Sequence, residues 1–213
     1  MIKRSFDILA AVVGIAVLSP VILLIAYRIK GEDGGPFFYR GARVGLHGRS
    51  FRIFKFRTMV VDAEKLGASS TSDDDPRITK IGKTLRKYKL DELPQLINVL
   101  LGNMSIVGPR PEVKRYTDMY TLEEKAILTV RPGITDWASI WNADEGAALA
   151  GMADPEKAYE ELIRPTKLKL QLKYVYEQSF LTDLKIILLT LLAIINPGSK
   201  AVEDIRRIKS DMS

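Results

Sequence analysis

The chain opens with a long apolar run at residues 8–29, in which almost every side chain is hydrophobic. As a straight helix this run would be about 33 Å long, enough to cross a hydrocarbon core of roughly 30 Å. No small-residue cleavage site follows it, so the pattern does not indicate a removable signal peptide. Three structures remain open: a spanning helix, a buried core helix, and a helix broken midway that returns to its own side of the membrane.

Two features of the run favour the re-entrant structure. Ser19 and Pro20 lie at its middle, and a proline there removes a helical hydrogen bond and favours a kink. Basic residues flank both ends, and the positive-inside tendency would keep both ends on the cytoplasmic side. The flanking residues are Lys3, Arg4, Arg28 and Lys30. Because proline-kinked spanning helices are also common, the residues alone do not choose between the two.

Residues 85–111 combine a second periodic pattern with polar chemistry. Their hydrophobic positions recur at the spacing of one helix face, and Gly102 stands where a helix would end. The pattern predicts a helix that begins at Asp91 and Glu92. Pro94 would lie in its first turn, where an N–H has no helical partner. The positions that carry the pattern are Leu93, Leu96, Ile97 and Leu100.

Such a helix would place two adjacent carboxylates at its positive end, where negative charge is stabilised and phosphate binds. Arg86 and Lys89 precede the pair, and Arg110 follows it between two prolines. An ordinary helix N-cap explains the two acids as well. Three other motifs set a basic residue beside turn-forming or hydroxyl residues, as phosphate-handling loops do. They are KFRTM at 55–59, DPRIT at 75–79 and RPGIT at 131–135.

The remaining patterns predict short elements. Residues 37–59 read as extended pieces around Gly45 and Gly48. Residues 69–75, at the end of the segment 62–75, read as a polar loop whose acids at 73–75 are solvated or bind metal. A helix capped by Thr121 is predicted over 116–128, followed by a turn at 131–133. Further helices are predicted to start at Asp154 and at Pro165.

The C-terminal part carries two further patterns. Residues 168–176 alternate strictly, which by period alone predicts a strand. Residues 186–195 are apolar all round but only about 15 Å long as a helix, so they should lie buried or in the membrane interface. The charged tail at 200–209 offers basic side chains to anionic headgroups, namely Arg206, Arg207 and Lys209.

Composition narrows the function classes. A net charge of +6 and a pI near 9.4 suggest an anionic partner, which nucleic acid, an anionic bilayer or a phosphorylated substrate could supply. The chain has no cysteine, which excludes a disulfide framework and thiolate metal sites. Since His47 is the only histidine, a Ser-His-Asp triad or a histidine-rich metal site is not expected. The chain has no dinucleotide-binding, Walker A or nucleic-acid motif.

Taken in order, these motifs resemble the monotopic bacterial phosphoglycosyl transferases, which initiate polysaccharide and glycan assembly. The resemblance covers nearly the whole chain. It runs through KRSFD, Ser19-Pro20, GPFFYR, GLHGRSFRIFKFRTM, DPRITKIGKTLRKYKLDELPQLINVLLGNMSIVGPRPE, VRPGIT and DLKII. It implies an α/β, mostly helical fold: a re-entrant membrane helix at 1–30 broken at Ser19-Pro20, a catalytic domain at 31–199, and a charged tail at 200–213. The same resemblance makes 168–176 a helix and places the protein on the cytoplasmic face of the bacterial inner membrane.

The resemblance also implies substrates and roles. A nucleotide-diphosphate sugar, with uridine as the expected nucleoside, would donate a phosphosugar to polyprenyl phosphate. Asp91 would act as the nucleophile, forming a covalent intermediate, while Glu92, with Asp91, would hold Mg²⁺. Substrate phosphates would be bound by basic residues of the quoted motifs, namely Lys55, Arg57, Arg77, Arg86, Arg110 and Arg131.

The chain departs from the commoner family pattern at one place. Many members read G-x-A-Q-V-N-G-R after the RPGIT block, whereas this chain has DWASIWNA at 136–143. The arginine that other members would place on the donor diphosphate is therefore replaced by Ala143. Sugar recognition and the choice of diphosphate-binding arginine stay open.

Other functions remain compatible with the sequence. A non-catalytic membrane adaptor would use the apolar segment as an anchor and the basic surface to bind lipid. A glycosyltransferase that moves only the sugar would release nucleoside diphosphate. Direct transfer without a covalent intermediate is a third alternative. The expected partners are the two substrates and membrane lipids, not nucleic acid, and a homo-oligomer is left open.

Overall fold

The computed structural model describes residues 2–63, 66 and 72–207. Helices dominate the fold, as predicted, and short strand pairs lie between them. The α-helices are α1 (Ile2–Asp33), α2 (Lys80–Lys87), α3 (Gln95–Leu100), α4 (Lys114–Thr117), α5 (Trp137–Trp141), α6 (Glu145–Leu149), α7 (Pro155–Ala158), α8 (Arg164–Glu177), α9 (Phe180–Ile195) and α10 (Lys200–Arg206).

Within the described residues, six short strands pair in three separate two-stranded sheets. They are β1 (Phe38–Tyr39), β2 (Ala42–Val44), β3 (Ser50–Arg52), β4 (Lys55–Phe56), β5 (Ser105–Val107) and β6 (Gly133–Thr135). β1 pairs with β4 and β2 with β3, both antiparallel, which confirms the extended pieces predicted at 37–59. β5 and β6 pair in parallel. Gly133 therefore lies in a strand, and the turn predicted at 131–133 is wrong there, because its backbone pairs with Ser105.

The N-terminal helix α1 is the only described helix long and apolar enough to cross a membrane by length and composition. It continues through Ser19 and Pro20 without interruption, so the structure has no gap in the helix where a break was predicted. The Ser19 hydroxyl donates to the Ala16 carbonyl at 2.9 Å. Proline at 20 cannot bond that carbonyl, so the serine satisfies a group that the proline leaves free.

Both ends of α1 pack on the rest of the protein. Near its start, Ala11 is fully buried in a cluster with Val99 and Met104. Near its end, Ile25 and Ile29 are buried in another cluster that contains Phe56 and Leu85. The intervening part is largely exposed, with Val17 at 69% and Leu23 at 69%.

The predicted helix at Asp91 and Glu92 begins later than expected. Leu90–Glu92 form one 3₁₀ turn, and α3 starts at Gln95 with Pro94 as its N-cap. The prediction was wrong because Pro94 would be the fourth residue of a helix starting at Asp91, and its missing N–H would have to bond the Leu90 carbonyl. The end of the helix is confirmed, since Gly102 has a φ of +83° just after α3.

Of two other predicted helices, one differs from the structure and one is confirmed. Residues 116–128 do not form one helix: the chain leaves α4 at Thr117 and forms a 3₁₀ helix at Glu124–Thr129. The Thr121 cap is confirmed, because its hydroxyl accepts the Glu124 N–H while Glu124 accepts the Thr121 N–H. The helix predicted to start at Pro165 is confirmed as α8, which begins at Arg164 with Pro165 in its first turn. A π-helical turn at Tyr159–Ile163 joins it to α7. The missing Pro165 N–H explains this local widening.

The C-terminal half builds the largest core. Residues 168–176 lie in α8, so the period-based strand prediction is wrong and the helix implied by the resemblance is confirmed. The Asp154 cap before Pro155 is also confirmed. The packing of α8 against the neighbouring elements overrides the alternating pattern of residues 168–176. A single cluster joins β5, α5, α8, α9 and α10 through Val107, Ile140, Tyr174, Ile186 and Val202.

Helix α9 has one buried face, with Ile186 at 0% exposure, and one exposed face, with Leu188 at 67%. This agrees with a segment that is buried or interfacial rather than spanning. Part of the predicted tail forms α10, which is bent by 105° from α9 and buries Val202. Lys209 and residues 69–71 of the predicted loop lie outside the described residues. The division into domains at residues 30 and 199 stays a prediction.

Candidate active site

Asp91 and Glu92 lie in the 3₁₀ turn between α2 and α3. Lys89, which precedes this turn, has a left-handed backbone with φ +55°, and this ends the hydrogen bonding of α2. The turn faces β4 on one side and the loop after β5 on the other. Residues that are far apart in sequence, Lys55 and Arg110, therefore meet at the acid pair.

Glu92 is held by both of these cations. Lys55 Nζ donates to Glu92 Oε1 at 2.8 Å, and Arg110 Nη1 donates to Glu92 Oε2 at 2.9 Å. Arg110 Nη2 also donates to Glu92 Oε1, so the arginine contact is bidentate. Burial opposes the charge on Glu92, but Arg110 and Lys55 outweigh it and hold the pKa of Glu92 well below its ordinary value.

Asp91 is in a different electrostatic state, although it is the next residue. It is 7% exposed, and Lys55 Nζ lies 3.7 Å from its Oδ2, beyond direct hydrogen-bond distance. Burial raises the pKa of Asp91, and the charge of Glu92 raises it further, while Lys55 and Arg110 act in the opposite direction. The site therefore contains one firmly ionised acid and one acid whose charge is only partly compensated.

Arg86 approaches the pair from α2. Its Nε donates to Thr58 Oγ1 at 3.0 Å, and it lies close enough to Asp91 for their charges to interact. The close approach of α2 depends on Gly82, where an added Cβ would lie 2.1 Å from the Thr58 carbonyl oxygen. Burial lowers the pKa of Arg86, with Asp91, Asp73 and Asp75 opposing this shift.

The structure does not bring the other predicted basic residues to the acid pair. Arg57 is 7% exposed and pairs with Asp33 at the end of α1, and its Nε donates to the Pro36 carbonyl at 2.6 Å. Arg77 forms an ion pair with Asp75 at 2.6 Å. Arg131 donates to the Gly102 carbonyl at 3.1 Å. Arg57 thus links α1 to the strands, a role that its motif did not reveal.

The loop that carries Arg110 is supported by buried polar residues that the sequence analysis missed. Asp136 Oδ2 accepts the Arg110 backbone N–H at 3.2 Å, and Gln171 Nε2 donates to Asp136 Oδ2 at 3.3 Å. Two residues after Arg110, Glu112 forms a buried ion pair with Lys167 at 2.7 Å. The Asp-x-x-Ser spacing at 136–139 could have indicated a cap, but nothing local connected it to Arg110.

The KRSFD motif attaches α1 to the site from behind. Lys3 Nζ donates to Asp183 at 2.6 Å, and Arg4 donates to the Val99 carbonyl at the end of α3 at 2.7 Å. Asp7, which is buried, accepts from the Ser105 hydroxyl at 2.8 Å and from the Ile106 N–H at 3.0 Å. Helix α1 is therefore bonded to α3 and β5, the elements that flank the acid pair and the Arg110 loop.

The acid pair offers two adjacent carboxylates to a metal ion. Within the described part of the chain, no three His, Asp or Glu side chains are grouped closely enough to hold one. Mg²⁺ is often bound by only one or two carboxylates, together with water and substrate phosphates. Asp91 and Glu92 fit such a shared site, provided that Lys55 or Arg110 yields one oxygen of Glu92.

Comparisons with known proteins agree with the motif analysis. A family model described as bacterial sugar transferase matches residues 1–197. The UDP-N-acetylgalactosamine-undecaprenyl-phosphate N-acetylgalactosaminephosphotransferase of Aeromonas hydrophila is 46% identical over 142 residues, covering 65% of this chain and 34% of that protein. The UDP-glucose:undecaprenyl-phosphate glucose-1-phosphate transferase of Escherichia coli is 38% identical, covering 89% and 39%.

A shorter relative matches over most of both chains. The exopolysaccharide production protein ExoY of Sinorhizobium fredii is 36% identical over 207 residues, covering 90% of this chain and 84% of that protein. By contrast, the chain spans only 34% and 43% of two of the longer relatives, from Aeromonas hydrophila and Streptococcus agalactiae.

Proposed function

Since this chain belongs to the bacterial sugar transferase family, we propose that it transfers a sugar phosphate from a nucleotide sugar to polyprenyl phosphate. This would be the first membrane step in assembling a polysaccharide or other glycan. The observation that carries the proposal is the acid pair, in which Glu92 is held by Lys55 and Arg110 while Asp91 keeps only a looser ion pair. The names of the relatives, which include undecaprenyl-phosphate sugar phosphotransferases, support the same class of substrates.

The mechanism would have two steps. An Asp91 carboxylate oxygen attacks the phosphorus that bears the sugar, and the bond between that phosphorus and the bridging oxygen of the donor breaks. Nucleoside monophosphate leaves with the electron pair. An oxygen of polyprenyl phosphate then attacks the same phosphorus, and the bond to Asp91 breaks, which restores the carboxylate. The covalent intermediate divides one difficult transfer into two easier ones.

Charge is the main obstacle to this attack. A carboxylate about 4 Å from a phosphate charge meets repulsion of about 4 kcal/mol at an effective dielectric constant near 20. Lys55, Arg86 and Arg110 supply positive charge around Asp91. Arg110 has the planar fork that binds phosphate oxygens in pairs, so it is the main candidate for the donor diphosphate in a chain that has Ala143 in place of the family arginine.

Magnesium would complete this compensation. Asp91 and Glu92 would hold the ion together with donor phosphate oxygens, and the ion would supply Lewis-acid neutralisation of the developing charge. Lys55 and Arg110 would then fix the orientation of Glu92. Activity should require Mg²⁺, be lost with a chelator, and return when Mg²⁺ is added back.

The membrane topology is part of the proposal. Lys3 near the start of α1 and Asp33 at its end both bond to the same body. A straight spanning helix would put its ends on opposite sides of the bilayer, so these contacts support a helix that begins and ends on the cytoplasmic face. The exposed apolar side chains would contact lipid, and they include Leu9, Val13, Val17, Leu23, Leu24, Leu181, Leu188, Leu191, Ile194 and Ile195.

The absence of cysteine allows a direct test of topology. Single cysteines would be introduced as Ser5→Cys and Gly31→Cys, near the two ends of α1, and treated with a membrane-impermeant maleimide. A Cβ added at Gly31 would meet no other atom within 4 Å, so the change there is mild. Both positions should react only from the cytoplasmic side. Reaction from opposite sides would establish a spanning helix.

The reaction itself is tested by the identity of the nucleotide product. Detergent-extracted protein would be incubated with a panel of nucleotide sugars, with and without polyprenyl phosphate. Release of nucleoside monophosphate that depends on Asp91 supports the proposal, and release without lipid supports the two-step route. Release of nucleoside diphosphate would indicate transfer of the sugar alone. Lipid binding without turnover of any donor would indicate a membrane adaptor.

A further inference from the structure

The backbone of Arg110 is hydrogen-bonded on both sides by two buried side chains. Asp136 Oδ2 accepts the Arg110 N–H at 3.2 Å, and Gln171 Nε2 donates to the Arg110 carbonyl at 3.4 Å. Gln171 Nε2 also donates to Asp136 Oδ2 at 3.3 Å, which closes the arrangement. Because Pro109 and Pro111 restrict the chain on either side, this contact fixes the one residue between them.

Asp136 uses its two oxygens for different purposes. Oδ1 accepts from the Ser139 N–H and from the Ser139 hydroxyl, each at 2.7 Å, and so caps α5. Oδ2 takes no part in the cap and reaches instead to Arg110 and Gln171. An ordinary helix cap needs only the first oxygen. The second oxygen therefore serves the Arg110 loop.

The burial of these groups makes the arrangement rigid. Asp136 and Gln171 are both 0% exposed, whereas the side chain of Arg110 remains 30% exposed at the site. A buried carboxylate that lost its donors would be costly, so the position of Asp136 is set by its partners. The charge of Asp136 also acts on Arg110, since it is among the groups that raise the Arg110 pKa.

We propose that Asp136, with Gln171, is a positioning residue that fixes the Arg110 backbone so that the guanidinium stays on Glu92 and toward the donor phosphates. This inference rests on the proposed function, because it assigns Arg110 to the donor. It goes further in locating the control of that arginine in α5 and α8, two helices that do not carry the acid pair. It also separates the capping oxygen of Asp136 from the oxygen that acts on the reaction.

The test uses Asp136→Asn in the full-length, detergent-extracted protein. Asparagine is as good an N-cap as aspartate, so the α5 cap can be kept while an amide NH₂ faces the Arg110 N–H. We expect donor kcat/KM to fall by about 100-fold, the loss that a displacement of about 1 Å can cause. Asp154→Asn, the same change at the cap of α7, is the matched control and should leave donor kcat/KM unchanged within about twofold.

A double-mutant cycle with Arg110→Met, which removes the cation, distinguishes positioning from a general structural role. If Asp136 acts through the Arg110 guanidinium, Asp136→Asn should change donor kcat/KM by no more than about twofold in the Arg110→Met protein. Gln171→Leu should show the same dependence from the other side of the contact, and it serves if Asp136→Asn does not fold. Equal losses in both backgrounds, or no loss from Asp136→Asn alone, would overturn the inference.

Failure of the proposed function would look different. In that case Asp91→Asn and Arg110→Met would leave nucleoside monophosphate release unchanged, or no donor would be turned over. If only the positioning role were wrong, the Asp91 and Arg110 variants would still lose activity. Asp136→Asn would then reduce donor kcat/KM by the same factor whether or not Arg110 is present.

Discussion

The Nζ atom of Lys55 lies 2.8 Å from Glu92 Oε1, and this ion pair gives the adjacent acids Asp91 and Glu92 different electrostatic environments. Glu92 takes the direct contacts of Lys55 and Arg110, so its charge is compensated within the protein. Lys55 Nζ lies farther from Asp91, at 3.7 Å from Oδ2, and burial raises the pKa of Asp91. Glu92 thus holds two cations beside Asp91, whose own charge is less fully compensated. This arrangement suits Asp91 for attack on phosphorus.

Asp91→Asn should abolish transfer and leave the fold at least as stable. Because the pKa of Asp91 is raised above its ordinary value of 3.8, the group favours folding below that pH, and this contribution is lost as the pH rises. At neutral pH the buried charge of Asp91 therefore lowers the free energy of unfolding, and asparagine removes that charge. Intact-mass spectrometry with donor alone should detect a phosphosugar adduct on the native protein and none on the variant.

The control for this variant is Asp118→Asn at an exposed acid, which should keep full turnover. A nucleophilic role for Asp91 would be abandoned if Asp91→Asn formed the adduct or retained appreciable transfer. A large fall in the melting temperature would instead assign Asp91 to the fold.

Glu92→Gln should have the opposite effect on stability. The variant leaves Lys55 and Arg110 without their charged partner. Because the side chains of Glu92 and Arg110 are 15% and 30% exposed, we expect a cost of about 1–3 kcal/mol, less than for a fully buried pair. Because the pKa of Glu92 is depressed, its contribution is present above the ordinary value of 4.5 and is lost as the pH falls toward the depressed value.

Thermal unfolding in one detergent at about pH 7 and at more acidic pH would measure this difference. The native protein should lose more stability on acidification than Glu92→Gln. Parallel pH curves for the two proteins would contradict a strongly ionised Glu92.

Local signals in the sequence predicted those features that depend on few neighbours. The apolar pattern gave α1, Gly102 marked the end of α3, and Asp154 with Pro155 gave the start of α7. Motif resemblance also selected Lys55 and Arg110, which meet Glu92 although 37 and 18 residues separate them from it.

The failures involve contacts that no local pattern encodes. The predicted helix at Asp91 starts too early because the pattern does not reveal that Pro94 would leave the Leu90 carbonyl without its donor. No local pattern reveals the ion pair between Arg57 and Asp33, which lie 24 residues apart, and the substrate role that the resemblance implies for Arg57 stays a prediction. The parallel pairing of β5 and β6 and the support of Arg110 by Asp136 likewise depend on tertiary packing, which overrides local preference.

Arg57→Met should affect the attachment of α1 more than donor binding. The Arg57 side chain lowers the pKa of Asp33 to about 2 and also contacts the Pro36 carbonyl, so its loss frees the end of α1. We expect a lower melting temperature with donor KM unchanged within about twofold. The matched change Arg110→Met should raise donor KM strongly, and the comparison is made by steady-state kinetics in the same detergent. A large rise in donor KM for Arg57→Met at an unchanged melting temperature would indicate that Arg57 binds the donor.

The buried ion pair behind the Arg110 loop gives the largest expected loss of stability. Glu112 and Lys167 are 5% and 8% exposed, and the Tyr159 hydroxyl bridges them, donating to Glu112 at 2.8 Å and accepting from Lys167 at 2.9 Å. Burial opposes ionisation of Glu112, but Lys167 outweighs it and lowers the Glu112 pKa. Glu112→Gln should therefore lower stability by about 3–5 kcal/mol, because it leaves a buried ammonium without its counter-charge.

Thermal unfolding at neutral pH would measure this loss as a fall of at least about 6 °C, since 1 kcal/mol shifts the midpoint of a protein of this size by about 2–4 °C. The matched control is Lys114→Met, which breaks the ion pair with Asp118 on the exposed surface and should cost less than about 1 kcal/mol. Glu112→Gln combined with Lys167→Met should recover part of the loss, because both charges are then gone. Equal falls in melting temperature for Glu112→Gln and Lys114→Met would mean that water reaches the ion pair of Glu112 and Lys167. That pair would then not stabilise the loop that carries Arg110.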